Sequence, residues 1–272
     1  MSPCQAIVLG AALLGVAAAA PVPGEAPWSS WSAASASTTA PVSGWTPSAA
    51  PATPSGAQIK SGNPFSFPLD NGFPNLSADA LATVNNLAQG TEPNGGAPTL
   101  QTDDLTSIQL IAFNELFEVA FFTDLLFNVT NNVAGFGFQD QNMRQTVIDA
   151  LVAIQAQEEL HADNANKILK NNNVAPIQPC KYQFPTTTLT DALNLASTFT
   201  DVVLGTLQDV QLHLAQNNAA NGPAVVPVIG SVIGQEGEQN GFFRNVSHHK
   251  SCSTHSLTSS SSTARFPVPS HF

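Results

Sequence analysis

Apolar residues recur at alternating three- and four-residue spacing only between about Thr102 and Asn245, and that period predicts helices. The first is expected to start at Thr102 or Asp103, both good N-cap types, and to run to about Phe127. Gly135 and Gly137 break the chain, and a second helix follows from Gln141 to Leu169, ending in Asn171-Asn172-Asn173 before Pro176. After a connector with Pro179, Cys180 and Pro185, Thr188-x-x-Asp191 reads as a capping box for a third helix that ends near Gln216. Gly222-Pro223 opens the fourth, with the proline at a permitted first-turn position. In that helix Gly230, Gly234, Gly237 and Gly241 recur at helical spacing, which predicts either close approach of another backbone or a marginal helix. Strand-like alternation is sustained nowhere. The predicted fold class is all-α, a four-helix bundle over 99–245.

The two ends lack this period. Residues 1–20 hold the apolar stretch Ala6 to Val16 followed by Ala17 to Ala20, too short to span a bilayer and closed by small residues suited to signal-peptidase cleavage. An exported, extracellular chain is therefore expected, although this leader carries no Lys or Arg before its apolar part. Residues 21–98 are dominated by Pro, Ser, Ala, Thr and Gly and are expected to be disordered; Asn63 to Leu81 is the least biased part and the one suited to docking on the bundle. Residues 246–272 read as a low-complexity tail.

Following each helix along its buried seam brings out the chemistry. The first gives Ile108, Ile111, Glu115, Glu118, Phe122 and Leu125; the second Val147, Leu151, Ile154, Glu158, His161, Ala165 and Ile168. The fourth gives Ile229, Val232, Glu236, Gln239 and Phe243. Three apolar seams thus carry acids at mid-length. The row beside the second seam, with Gln155, Glu159 and Asn166, is where solvated polar groups belong. Unpaired carboxylates removed from water cost several kcal/mol each and repel one another. Lys and Arg are nearly absent from these helices. Either a bound cation neutralises the cluster, for which carboxylates and an imidazole suit iron, manganese or zinc, or there is no ion and some of the acids stay protonated and share hydrogen bonds with Gln239, His161 and Thr200.

The phrases Phe113-Asn114-Glu115-Leu116-Phe117-Glu118, Gln157-Glu158-Glu159-Leu160-His161-Ala162 and Gln235-Glu236-Gly237-Glu238-Gln239-Asn240-Gly241-Phe242-Phe243-Arg244, with Cys180-Lys181-Tyr182-Gln183-Phe184-Pro185, resemble ferritin-like proteins. More narrowly they are similar to the secreted fungal ferritin-like family of stress-response and late sexual development proteins, with plant desiccation-related proteins more distant. The resemblance covers about Leu100 to Arg244. It implies a bundle with one Glu on each of two helices and Glu-x-x-His on each of the other two. Glu115 fits the first lone Glu, and Glu158 with His161 fits the first Glu-x-x-His. Thr200 stands where the second lone Glu belongs, and Gln239 replaces the histidine after Glu236. The implied metal ligands are Glu115, Glu158, His161 and Glu236, with Glu118 and Gln239 as further candidates. A single-ion or vestigial site fits this pattern better than a dinuclear one.

Composition narrows the function classes. The formal charge of −11 and pI of 4.7 disfavour nucleic acid and anionic membranes. No G-x-S-x-G, P-loop or dinucleotide fingerprint occurs. Sequons at Asn75, Asn128 and Asn245 predict a glycoprotein, and Cys180 with Cys252 offers one disulfide. Three readings stand: a metal-binding or structural secreted protein without efficient turnover; an oxygen- or peroxide-consuming di-iron or di-manganese oxidoreductase; and a cell-wall or matrix component. A homo-oligomer stays open.

Overall fold

In a computed structural model of the chain, residues 67–91, 99–216 and 222–248 are described. They form α1 (Ala78–Leu87), α2 (Thr102–Thr130), α3 (Gln141–Asn171), α4 (Leu189–Gln216) and α5 (Val226–His248), with one turn of 3₁₀ helix at Gly222–Ala224. No strand occurs among the described residues, as the sequence predicts. No described helix is long and apolar enough to cross a membrane.

The long helices make two antiparallel pairs. Arg144, in the first turn of α3, donates to the carbonyls of Val129 and Thr130 at 3.2 and 2.6 Å, so it closes the orphan end of α2. Asp140 caps α3, its Oδ1 accepting from the backbone N–H of Asn142 and Met143. Gln211 near the end of α4 donates to the Val226 carbonyl at the start of α5. Between the pairs the chain crosses the length of the bundle. Asn166 fixes the departing end through two hydrogen bonds with the backbone of Ile177, and Leu189 N–H reaches the Gly135 carbonyl at the other end, 2.9 Å away. Gly135 sits at φ +91°, and a Cβ there would collide with the Thr187 carbonyl, so the crossover depends on glycine at this point.

Two apolar clusters fill the bundle, and each helix passes from one to the other through its polar residues. One cluster joins Phe121, Phe122 and Leu125 of α2, Leu151 and Ile154 of α3, Ala196 of α4 and Phe243 of α5. The other joins Ile108 and Ile111, Ala165 and Ile168, Val203 and Leu207, and Ile229 and Val232. The residues between them are Glu115 and Glu118, Glu158 and His161, Thr200, and Glu236 and Gln239, all buried. The acids are therefore confined to one layer roofed and floored by hydrocarbon, with Phe122 and Phe243 stacked on one side at 5.4 Å between ring centroids.

Several expectations need correction. The N-cap of α2 is Gln101, with no side-chain hydrogen bond, rather than Thr102 or Asp103. At α4 only half of the capping box forms: Thr188 Oγ1 accepts from Asp191 N–H, while the Asp191 carboxylate accepts from Thr187 instead of reaching back. The 3₁₀ turn, not α5, contains Pro223. The glycine row of α5 is helical but brings no backbone close: a Cβ at Gly234, Gly237 or Gly241 would meet nothing within 4 Å.

The largest correction concerns the segment expected to be disordered over 21–98. Residues 67–91 form an ordered arm laid along the outside of α3. Leu69 and Phe73 bury against Leu116, Val119, Ala162 and Tyr182. Ser77 caps α1 by accepting from Ala80 N–H. Val84 and Ala88 then close over Ala156 and Leu160. This arm covers the polar row of α3 that the helical period assigned to solvent. Gln155 and Glu159 are consequently buried, while Asn166, half-buried, is held by Ile177 of the crossover.

Candidate metal centre

One ligand atom from each of Glu115, Glu158, His161 and Glu236 can be chosen so that all lie within 4.8 Å of one another. α2, α3 and α5 each contribute, and on α3 the i, i+3 spacing sets Glu158 and His161 on one face. His161 Nδ1 lies 3.0 Å from Glu158 Oε2, 3.3 Å from Glu115 Oε2 and 3.8 Å from Glu236 Oε1. The other imidazole nitrogen, Nε2, meets Gln235 Oε1 at 2.7 Å. An amide oxygen only accepts, so Nε2 carries hydrogen and Nδ1 is the nitrogen turned to the carboxylates.

Polar satisfaction in this layer is incomplete. Neither oxygen of Glu115 or Glu236 has a hydrogen-bond partner among the described residues, nor do Glu118 Oε2, Thr200 Oγ1 and Gln239 Oε1. Buried orphans of this kind are rare and costly, because desolvation goes uncompensated. Protonation relieves part of the cost. Burial, opposed by His161, pushes Glu115 up to about 8. Burial and the neighbouring carboxylates hold Glu236 and Glu118 well above the usual range. Burial also acts against the Glu158 carboxylate, but the His161 charge and hydrogen bonds outweigh it, and Glu158 falls below its ordinary value. His161 is held well above its own by Glu158 and Glu115, despite burial that works the other way. Without an ion the layer is therefore one imidazolium–carboxylate pair among protonated acids.

The donor set also fits a divalent cation. Three carboxylates and one imidazole with its second nitrogen already fixed are ligands suited to iron(II), manganese(II) or zinc. The unpartnered oxygens of this layer are the ones a cation would take up.

A family model described as the Ferritin-like domain matches residues 103–249, more than half of the 272-residue chain. The chain belongs to this ferritin-like family. No curated protein and no solved structure matches it. Within the ferritin-like bundle, the four ligand positions expected from sequence come together. The two further candidates lie in the same buried layer, each with one side-chain atom engaged elsewhere and one buried oxygen without a hydrogen-bond partner among the described residues. Glu118 shares the buried layer but turns Oε1 to Asn114 Nδ2 at 2.8 Å. Gln239 acts as a donor, its Nε2 lying 2.6 Å from Glu158 Oε1 and 3.1 Å from Gln157 Oε1. Thr200 lies in the layer and has no hydrogen-bond partner among the described residues, so it does not share a hydrogen bond with the acids as expected.

The remaining predicted sites are placed as follows. Asn75 and Asn245 are exposed, whereas Asn128 is half-buried in the last turns of α2 and donates from Nδ2 to Asp124 Oδ2 at 3.0 Å. Cys180 is buried in the crossover; Cys252 lies outside the described residues, as do the leader and the tail. Sequence reasoning passed over Glu159. Its carboxylate accepts from Asn71 Nδ2 at 2.8 Å and Gln155 Nε2 at 2.7 Å, and burial pushes it up to about 8. The only sequence signal for its burial is a partner 88 residues away.

Proposed function

We propose that this chain is an exported ferritin-like protein of the fungal stress-response or sexual-development type that binds one divalent cation, iron(II), manganese(II) or zinc. The ligands are Glu115, Glu158, His161 and Glu236. The observation that carries the reading is His161 Nδ1 facing three buried carboxylates, with neither oxygen of Glu236 hydrogen-bonded among the described residues. A bound ion would supply, in place of shared protons, a positive charge linking three helices. Export is supported by the apolar Ala6–Val16 stretch and the small residues after it. The fungal assignment is supported by the phrases around Glu115, Glu158 and Glu236.

A single ion is favoured over two. Gln239 already donates to the outer oxygen of Glu158, and Thr200 supplies no carboxylate from α4, so the layer is poor in ligands for a second ion. Redox turnover of the dinuclear kind draws on two bridged metals, so we read the role as metal binding or structural rather than efficient catalysis. Calorimetric titration of ion-free protein with manganese(II), iron(II) or zinc is expected to give about one equivalent per chain, lost in His161→Ala. No binding of any of the three would overturn the proposal. Two equivalents with rapid peroxide consumption would favour the oxidoreductase reading.

A further inference from the structure

The arm and the candidate metal centre are joined by a chain of amides that ends on an acceptor at both sides, the Ala88 carbonyl outside and Glu158 Oε1 inside. Ala88 is the C-cap of α1, so its carbonyl belongs to the end of a helix that leaves such groups without intrahelical partners. Gln157 Nε2 donates to that carbonyl at 3.3 Å. A carbonyl can only accept, so Gln157 must present its nitrogen outward and its oxygen inward. The inward Oε1 accepts from Gln239 Nε2 at 3.1 Å, and the same nitrogen donates to Glu158 Oε1 at 2.6 Å. Both hydrogens of Gln239 are then engaged. Flipping its amide would set an oxygen against two acceptors. Glu158 is thereby held by its outer oxygen, with Oε2 turned to His161. A second clamp grips the same stretch of α3. Asn71 Oδ1 accepts from Phe73 N–H, which fixes its nitrogen toward Glu159, the residue after Glu158.

We infer that Gln157 is a positioning residue through which seating of the arm, residues 67–91, sets the orientation of Glu158 and so raises the affinity of the site for a divalent cation. The inference rests on the cation-binding reading above. Without the arm, Gln157 Nε2 loses the Ala88 carbonyl that anchors it, and the acceptor it offers Gln239 is held from one side only. Hydrogen-bond partners one step removed from a metal typically change affinity by about 10- to 100-fold when lost. Coupling of this sort is reciprocal, so the ion must favour the seated arm by the same factor.

The test uses full-length protein with manganese(II) for affinity and cobalt(II) for its ligand-field spectrum. Gln157→Met keeps the length of the side chain and removes both hydrogen bonds. Val84→Asp unseats α1 from Ala156 and Leu160, and with it the Ala88 carbonyl, while leaving Gln157 and Gln239 chemically unchanged. Because Gln157 lies one step further out than Gln239, each is expected to weaken manganese binding by about 5- to 10-fold, the low end of that range or just below it, and to alter the cobalt spectrum. The double variant should be no weaker than the more affected single one, since both act through one step. In wild type, the ion should slow amide hydrogen exchange across residues 78–88. Wild-type affinity and spectrum in Gln157→Met, which perturbs only a half-buried side chain, would overturn the inference even if Val84→Asp proved too unstable to assay. Affinities within twofold of wild type in Val84→Asp, with its arm shown by exchange to be open, would do the same. A wild-type protein that binds no ion would instead remove the cation reading on which the inference rests.

Discussion

Adding manganese(II) to the ion-free chain is expected to raise its unfolding midpoint, and Glu236→Gln is expected to abolish the rise without harming the ion-free fold. At a free ion concentration a hundred times the dissociation constant, the stabilisation is about 2.7 kcal/mol, which for a bundle of this size means a shift on the order of 5–10 °C. Glu236 is the informative position because burial keeps it protonated when no ion is present. Glutamine is the neutral isostere of that acid. Ion-free stability should therefore change by less than about 1 kcal/mol, while cation affinity falls at least a hundredfold, beyond the loss typical of groups outside the ligand shell. Glu158→Gln should behave differently. It removes the ionised partner of His161 and leaves a buried cation uncompensated, so the ion-free chain should lose about 3–5 kcal/mol as well. Equal ion-free destabilisation by the two substitutions would contradict the assignment of charge within the layer. Thermal unfolding with and without ion reads both.

The second large effect is on pH. In the ion-free chain Glu115 is raised to about 8 from 4.5, and Glu236 is raised from the same value. An acid raised in the folded state lends stability that is complete below 4.5 and lost as pH climbs through its folded value. His161, raised above 6.5, acts in the same direction on the alkaline side. Glu158, lowered, acts oppositely: its contribution is present above 4.5 and lost as pH falls below that. Ion-free stability should therefore be greatest near mildly acidic pH and decline toward about pH 8. An ion must displace the protons held by Glu115, Glu236 and His161, so its affinity should rise steeply with pH, by up to about a thousandfold per unit while all three are held. Above about 8, where Glu115 releases its own proton, the rise should flatten. Unfolding curves from about pH 5 to about pH 8 with and without manganese(II) should diverge as pH rises. Parallel curves would show that the ion binds somewhere other than this layer.

The long helices and the four ligand positions were legible in the sequence. A mid-seam acid on three apolar rows needs a shared explanation; helical spacing brought out Glu115, Glu118, Glu158, His161, Glu236 and Gln239, and the ferritin-like resemblance picked the four ligands from them. The arm was not legible in this way. Low compositional bias singled out Asn63 to Leu81 for docking, but not its place or its extent to residue 91, because a short segment signals burial through its partners, and those lie on α2, α3 and the crossover far along the chain. The same missing partner explains Glu159 and Gln155, whose polar character placed them in solvent until Asn71 and Val84 covered the row. The α5 glycines misled for the opposite reason. Helical spacing of small residues permits close approach, but permission does not supply a neighbour, and none is present within 4 Å of Gly234, Gly237 or Gly241. Gln157 gave no signal at all, since its role depends on which end of its amide faces the α1 carboxyl terminus.

Crystals grown with manganese(II) and measured across its absorption edge test the central claim most directly. One anomalous peak per chain is predicted, within bonding distance of His161 Nδ1 and of carboxylate oxygens from Glu115, Glu158 and Glu236. No peak in the layer, or a peak on surface carboxylates alone, would contradict it.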